Sequence, residues 1–348
     1  MNKTLLGAAV GLALASGAAQ AALVDFDGTG AATGTLDVAA VDWSPTSFLA
    51  LGGNTAISNF LTGFGPTTFD VLTHATLATQ VTLADGSNVN VAGLNSSYNI
   101  TMVAKFQETV TGVAGTTATF ATTGVGGFLE IYFDSTPDSV AVSGSGFNDG
   151  RLILRGTIIP AGITGSFTVN SILPVVVLDQ AGVGSASAKD NYGDGTLAGS
   201  QGTVQGRGDN SNLVVGGLTQ DTDFFQNTLA SFGLNFANIS LALPYRSVDP
   251  SDCFTGVSSG IAIGASTVAY NCTPAHADAP YSFQGADGLG GIVPDVGATN
   301  GVFTLAPSFV AQSDYNGSFD VAAVPEPTTV ALLGLGLAAM GFMQRRRG

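Results

Sequence analysis

A chain of 348 residues with 10 Lys and Arg against 25 Asp and Glu carries a formal net charge of −15, and only 10% of its residues are charged. Nucleic acid demands a basic footprint, so that partner class is excluded, and docking on anionic lipid is disfavoured on the same ground. Apolar residues still make up 45% and mean hydropathy is +0.35, so the chain has the apolar surface to fold rather than stay a solvated coil.

The N-terminus reads as an export signal. Met1-Asn2-Lys3 is a short basic start, Leu5 to Ala15 is apolar, and Ala19-Gln20-Ala21 is an A-x-A cleavage site. The pattern predicts a signal peptide over residues 1–21 and a mature chain that starts at Ala22.

The body of the chain reads as all-β. The acid is almost entirely Asp, 22 against 3 Glu, and Gly is abundant at 48. Asp and Gly favour turns and Glu favours helices. Runs of Val, Ile, Phe and Thr between such turns predict an antiparallel β-sandwich or two β units. The clearest strand is Tyr98 to Gln107. Tyr98, Ile100, Met102, Ala104 and Phe106 share one face, and Val103 is the apolar exception on the other. Further strands are predicted at Thr117–Thr122, Phe128–Phe133, Arg151–Ile159, Ser166–Leu173, Val175–Leu178, Leu213–Leu218, Leu234–Leu243, Ile261–Tyr270 and Val302–Leu305. Asp85-Gly86, Asp149-Gly150 and Asn316-Gly317 read as turns. Short helices are expected near Asn54–Leu61 and Asp223–Ser231. The organisation predicted is a β-rich domain over 22–181, a Gly/Ser/Asp-rich loop or linker over 182–212, and a β-rich continuation over 213–323. The role of residues 246–311 is not legible.

Cys253 and Cys272 are the two cysteines. In an exported chain an even pair predicts a disulfide, closing a loop of about 20 residues for about 3 kcal/mol.

Candidate chemistry is sparse. Gly256 to Gly260 spells G-x-S-x-G, but a nucleophile elbow needs a strand before it and a helix after it. No acid stands between Ser258 and His276 to complete the hydrolase order, so the stretch reads as a loop. Two histidines, His74 and His276, do not make a zinc site. Asp190, Asp194 and Asp209 could form a loose calcium site, although Tyr192 and Gln201 stand where an EF-hand needs ligands. No other cofactor is called for. Glu108, Glu130, Asp134 and Asp138 are the carboxylates a glycosidase reading would use. Trp43, Tyr98, Tyr132 and Tyr192 are aromatic faces that could stack on sugar. N-x-S/T triplets begin at Asn95, Asn99 and Asn238.

The C-terminus is the most specific feature. Val324-Pro325-Glu326-Pro327 precedes an apolar run from Val330 to Met343, then Arg345, Arg346 and Arg347. Fourteen apolar residues fall short of the about 20 that span a bilayer core. The arginines would stay cytoplasmic. The prolines hold the stretch before the run extended, in a form a processing enzyme can grip. With both ends removed, 24 acidic and 6 basic residues remain, a net charge of −18.

The three-part tail over residues 324–348, with an N-terminal signal peptide, resembles the PEP-CTERM sorting signal. That resemblance implies processing by an exosortase, a membrane-embedded transpeptidase-like enzyme. It also implies a Gram-negative bacterium that makes exopolysaccharide, a transient C-terminal anchor in the inner membrane, and delivery to the surface or matrix. The body has its own resemblance. "FLALGGNTAISNF", "GLNSSYNITMVAKFQETVTG", "GGFLEIYFD", "GSGFNDGRLILRGTI" and "QDTDFF" are similar to blocks of flocculation-associated PEP-CTERM proteins. The role this implies is non-enzymatic: retention of extracellular polysaccharide at the cell, with self-association. A secreted carbohydrate-active enzyme and a surface structural protein without a ligand are the alternatives.

Overall fold

Alternation of apolar and polar residues over the longest strands lets a sheet bury one face, and here that sheet closes on itself. The computed structural model describes residues 21–31, 34–140, 144–160, 164–171, 205–240, 250–257, 261–266 and 309–322. In chain order the strands are β1 (Ala22–Val24), β2 (Leu36–Leu51), β3 (Thr68–Leu83), β4 (Asn88–Asn90), β5 (Asn99–Ala114) and β6 (Thr117–Thr122). They continue with β7 (Phe128–Asp134), β8 (Arg151–Ile159), β9 (Thr164–Ser171), β10 (Gln205–Gln220), β11 (Leu229–Ser240) and β12 (Phe309–Val321). One helix, α1 (Gly53–Thr62), joins β2 to β3.

All ladders between these strands are antiparallel, and they run β3-β2-β12-β11-β10 along one side. Two routes close the gap from β10 back to β3. At one end Val214–Gln220 of β10 bonds β8, β8 bonds β7, and β7 bonds the first half of β5. At the other end Gln205–Asp209 bonds β9, β9 bonds β6, and β6 bonds the second half of β5. Strand β5 then pairs with β3. Either circuit has eight strands, a number whose interior side chains can fill. The all-β antiparallel expectation holds. The two faces of the expected sandwich are joined at both edges into one barrel-like sheet, which removes open edges.

The barrel interior is the core. Ile100, Met102, Ala104 and Phe106 of β5 face inward with Phe48, Phe232, Phe236 and Trp43. Phe106 and Phe236 stack with centroids 5.7 Å apart. Each such fully buried side chain contributes about 1.5–3 kcal/mol. Tyr315 is also fully buried, and its hydroxyl bonds Thr73 Oγ1 at 2.5 Å, so its polar tip is satisfied inside the barrel. The outward exception, Val103, has a cause. It belongs to a second small cluster with Phe128, Tyr132, Phe147, Leu152 and Phe254. Segments around Phe147 and Phe254 cover the outside of the wall there.

Four local expectations change. Residues 261–266, expected to open a strand, form a turn that ends in an isolated bridge from Ser266 to Arg151. Asn316-Gly317 lies inside β12, not at a turn. A Cβ on Gly317 would sit 2.5 Å from the Phe232 ring, so the glycine serves close packing. Residues 223–231 are not a helix: Asp221 O accepts from Phe224 N and Phe225 N in a turn, and β11 begins at Leu229 with partners on both sides. Cross-strand pairing outweighs the weak local helix preference. Residues 205–212, expected in the loop or linker, open β10; residues 182–204 lie outside the described residues, as do the strands expected at Val175–Leu178 and Val302–Leu305.

Candidate functional site

The ends of β1, β7 and β10 and the starts of β5, β8 and β11 meet at one rim of the barrel, and aspartates gather there. Asp25 leaves β1 buried, at 1% exposure. Its Oδ2 accepts from Gly30 N at 2.9 Å and Thr29 Oγ1 at 3.4 Å, and its Oδ1 from Asp27 N at 3.2 Å. Asp27 Oδ1 accepts from Thr29 N at 2.9 Å. A matching turn follows β10, where Asp221 Oδ1 accepts from Asp223 N at 3.0 Å. Arg151, first residue of β8, ties the two turns. Its Nη2 lies 2.5 Å from Asp221 Oδ2 and 2.9 Å from Asp223 Oδ2, and its Nη1 donates to Gly28 O at 3.1 Å. Gly28 has φ +64°, and a Cβ there would meet the Phe224 ring at 2.6 Å. Only glycine suits that position.

The electrostatics follow the geometry. Burial, then the neighbouring Asp27, pushes the Asp25 carboxyl above the usual carboxylate range. Hydrogen bonds from Thr29 hold Asp27 below it. Tyr98 packs on Phe133 with centroids 5.3 Å apart. Burial first, then Asp27 and Asp25, pushes its phenol up to about 12. Asp134 at the end of β7, Asp138 and Asp149 form a second acidic group at the same rim, with one oxygen of each within 4.8 Å of the others. These three are the described residues that could hold a metal ion.

On the outer wall a buried polar row runs under the cover. His74 and Ser251 are both fully buried, with Nδ1 and Oγ 2.8 Å apart. Glu130, at 0% exposure, accepts from Tyr132 Oη and Arg155 Nε, each at 2.6 Å. Ser and His at this separation are the elements of a nucleophile and base, and here the pair lies below the surface, with the His74 ring against Phe147 and Phe254. Of the glycosidase candidates, Glu108 and Glu130 are buried. Asp134 and Asp138 each place one carboxylate oxygen within 4.8 Å of the other.

The other predicted positions are scattered. Ala21 precedes β1 and Ala22 opens it. Asp209 lies in β10, opposite Ala237 of β11 and Ser166 of β9. Cys253 ends a short 3-10 turn, Pro250–Cys253. Trp43 and Tyr132 are core residues at 1% and 0% exposure. Asn99 is fully buried, so it is no glycan acceptor in the folded chain. Ala19, Asp190, Asp194, Tyr192, Cys272, Ser258, His276 and the tail from Val324 to Arg347 lie outside the described residues. Sequence reasoning missed the rim turns. The signal was local: "DFDGTG" and "QDTD" are repeated D-x-D turns.

Among the described residues, the barrel interior holds a small apolar void. The void beneath the rim is about 20 Å³, lined by apolar side chains including Phe26, Trp43, Phe224 and Phe319. Ligand pockets start near about 300 Å³. Among the described residues no helix is long and apolar enough to cross a membrane.

The decisive comparison concerns the tail. A family model described as the PEP-CTERM protein-sorting motif matches residues 323–347. The chain carries a PEP-CTERM sorting signal. That signal makes it an exported protein, held by its C-terminus before processing and targeted to an exosortase. The match covers the tail and does not extend into the barrel. No curated protein and no solved structure matches the chain.

Proposed function

We propose that the barrel is a non-enzymatic matrix protein that retains exopolysaccharide at the surface of a Gram-negative cell and so promotes floc or biofilm formation. The observation that carries this reading is the PEP-CTERM signal at residues 323–347, which dedicates the chain to export. Several features support it. Strand β1 opens at Ala22, which suits removal of a signal peptide after Ala21. The candidate acids Glu108 and Glu130 are buried, and Glu130 is engaged in an ion pair. The end of α1 presents Phe60, Leu61 and Phe64, the last at 79% exposure. Aromatic faces of this kind suit the C–H side of sugar rings and equally a second copy of the chain. The Cys253–Cys272 disulfide belongs to this proposal, since an oxidising compartment permits it.

The test is deletion of the gene in its host, with settled and planktonic cells compared and polysaccharide assayed in both. The reading expects dispersed cells and polysaccharide in the medium, restored by the full chain but not by one lacking residues 324–348. Unchanged flocs would overturn it. Reducing sugar ends released from host polysaccharide by the purified chain would favour the carbohydrate-active alternative.

A further inference from the structure

Across the β5–β7 ladder from the acidic group at the β7–β8 connection stands a buried amide. Asn99, first residue of β5, stands directly opposite Asp134 in the β5–β7 ladder. Directly opposed residues share a face of the sheet with Cβ atoms about 4.5–5.5 Å apart. Asn99 is 0% exposed, and its Nδ2 donates to Ser139 Oγ at 2.8 Å. Ser139 directly follows Asp138. The amide thus stands across from Asp134 and bonds the neighbour of Asp138, and its Oδ1 has no hydrogen-bond partner. A buried carbonyl oxygen without a donor is costly, and a cation would satisfy it.

Two glycines let the backbone pack closely against the acids. A Cβ on Gly146 would overlap Asp138 Oδ1, and one on Gly150 would overlap Phe133 O and lie 3.1 Å from Asp134 Cβ. The nearby cation in sequence, Arg151, reaches away to Asp221, Asp223 and Gly28.

We infer that Asp134, Asp138 and Asp149, with the Asn99 amide oxygen, bind one calcium ion. Hard oxygen donors with three carboxylates select a hard divalent cation. Oxygens within 4.8 Å of one another can reach one calcium ion at about 2.3–2.6 Å. Calcium accepts flexible, irregular oxygen shells, whereas magnesium demands near-ideal octahedral geometry and keeps several waters, so carboxylates and an amide oxygen from separate stretches of chain suit calcium better. The ion would pin the connection that carries Phe147 over the outer cluster and its buried His74–Ser251 pair. The site does not rest on the matrix reading, and its test is independent of flocs.

The experiment uses the full chain in detergent, stripped with EDTA and titrated with calcium chloride by calorimetry, with thermal unfolding in parallel. One equivalent is expected to bind with Kd of about 10⁻⁴–10⁻³ M, the range of extracellular sites. At 10 mM calcium the melting temperature should rise by about 5 °C, and magnesium should give less than half of that. Asp138→Asn, at an exposed and isosteric position, should abolish both signals while native Trp43 fluorescence reports a folded chain. Asp27→Asn, in the neighbouring turn, should keep both. No heat and no shift at 10 mM calcium would overturn the site. An equal shift from magnesium, or a shift that survives both Asp138→Asn and Asp134→Asn, would reduce the effect to charge screening and overturn it too.

Discussion

Glu130 and Arg155 face each other directly across the β7–β8 ladder, and removing the arginine should expose how the outer wall is held. The Glu130 side chain is 1% exposed and that of Arg155 26%. Arg155→Met leaves a buried charge with Tyr132 Oη still donating at 2.6 Å. Breaking one side of a buried pair costs about 3–5 kcal/mol. Water already reaches a quarter of the Arg155 side chain, so about 2–4 kcal/mol is expected here. Glu130→Gln keeps the shape and should cost about 1–2 kcal/mol. The double variant strands no charge and should cost about 1–2 kcal/mol less than the sum of the singles. Arg155 Nη1 also donates to Ile261 O at 3.1 Å. That bond is lost with Arg155 in either background, so it cancels in the cycle. The assay is urea unfolding at pH 7, followed by the fluorescence of Trp43, the one tryptophan of the chain and 1% exposed. Additivity within about 0.5 kcal/mol would refute the claim that Arg155 neutralises Glu130.

Two further outcomes are expected. Asp314 on β12 is pushed above the usual carboxylate range by burial and then by Asp42 on the facing strand β2. The folded chain therefore holds a proton that the unfolded chain has lost just above pH 3.8, and stability falls as pH rises through that window. Asp314→Asn should accordingly raise stability by about 0.2–1 kcal/mol at pH 7, the scale of a cross-strand pair. The gain should vanish below pH 3.8, and urea midpoints at pH 7 and pH 3.5 check the sign. Gly317→Ala should cost about 1–3 kcal/mol by overpacking, because its Cβ would meet Phe232 at 2.5 Å and Val41 at 2.8 Å. The same fluorescence titration measures it, and Gly256→Ala, where a Cβ meets nothing within 4 Å and φ is not left-handed, controls for the loss of a glycine alone.

Local periodicity made much of the wall legible. The alternation of Tyr98 to Gln107 is the inside and outside of β5, and the helix expected at Asn54–Leu61 is α1 within two residues at either end. Closure was not legible, because it depends on which strands choose each other. Strand β12 comes last yet lies between β2 and β11, and β5 changes partner from β7 to β6 along its length. Neither choice leaves a periodic trace. The rim was partly legible at best. Its D-x-D turns are local patterns, but Asp25 and Asp221 are brought together by the ladder and by Asp25 N donating to Phe224 O at 2.8 Å. Asn99 shows the limit most clearly. Its N-x-T triplet reads as an exposed acceptor, whereas the chain after β7 returns over it and Ser139 takes its amide. Val103 misleads in the same way, since its apolar side chain only makes sense once Phe147 and Phe254 cover it.

The position of β12 also constrains how the sorting tail can be handled. The strand ends at Val321 and the sorting motif begins at residue 323. Its residues 309–318 bond β2 and its residues 312–321 bond β11, so the barrel cannot close before this last strand is in place. A cut inside β12 would open two long edges, an invitation to pairing with other chains. Processing that leaves a closed barrel must therefore fall after Val321, and the Val324-Pro325-Glu326-Pro327 stretch is the first part of the chain past that boundary with a backbone that cannot extend the sheet: Pro325 and Pro327 lack the N–H a further ladder bond would need.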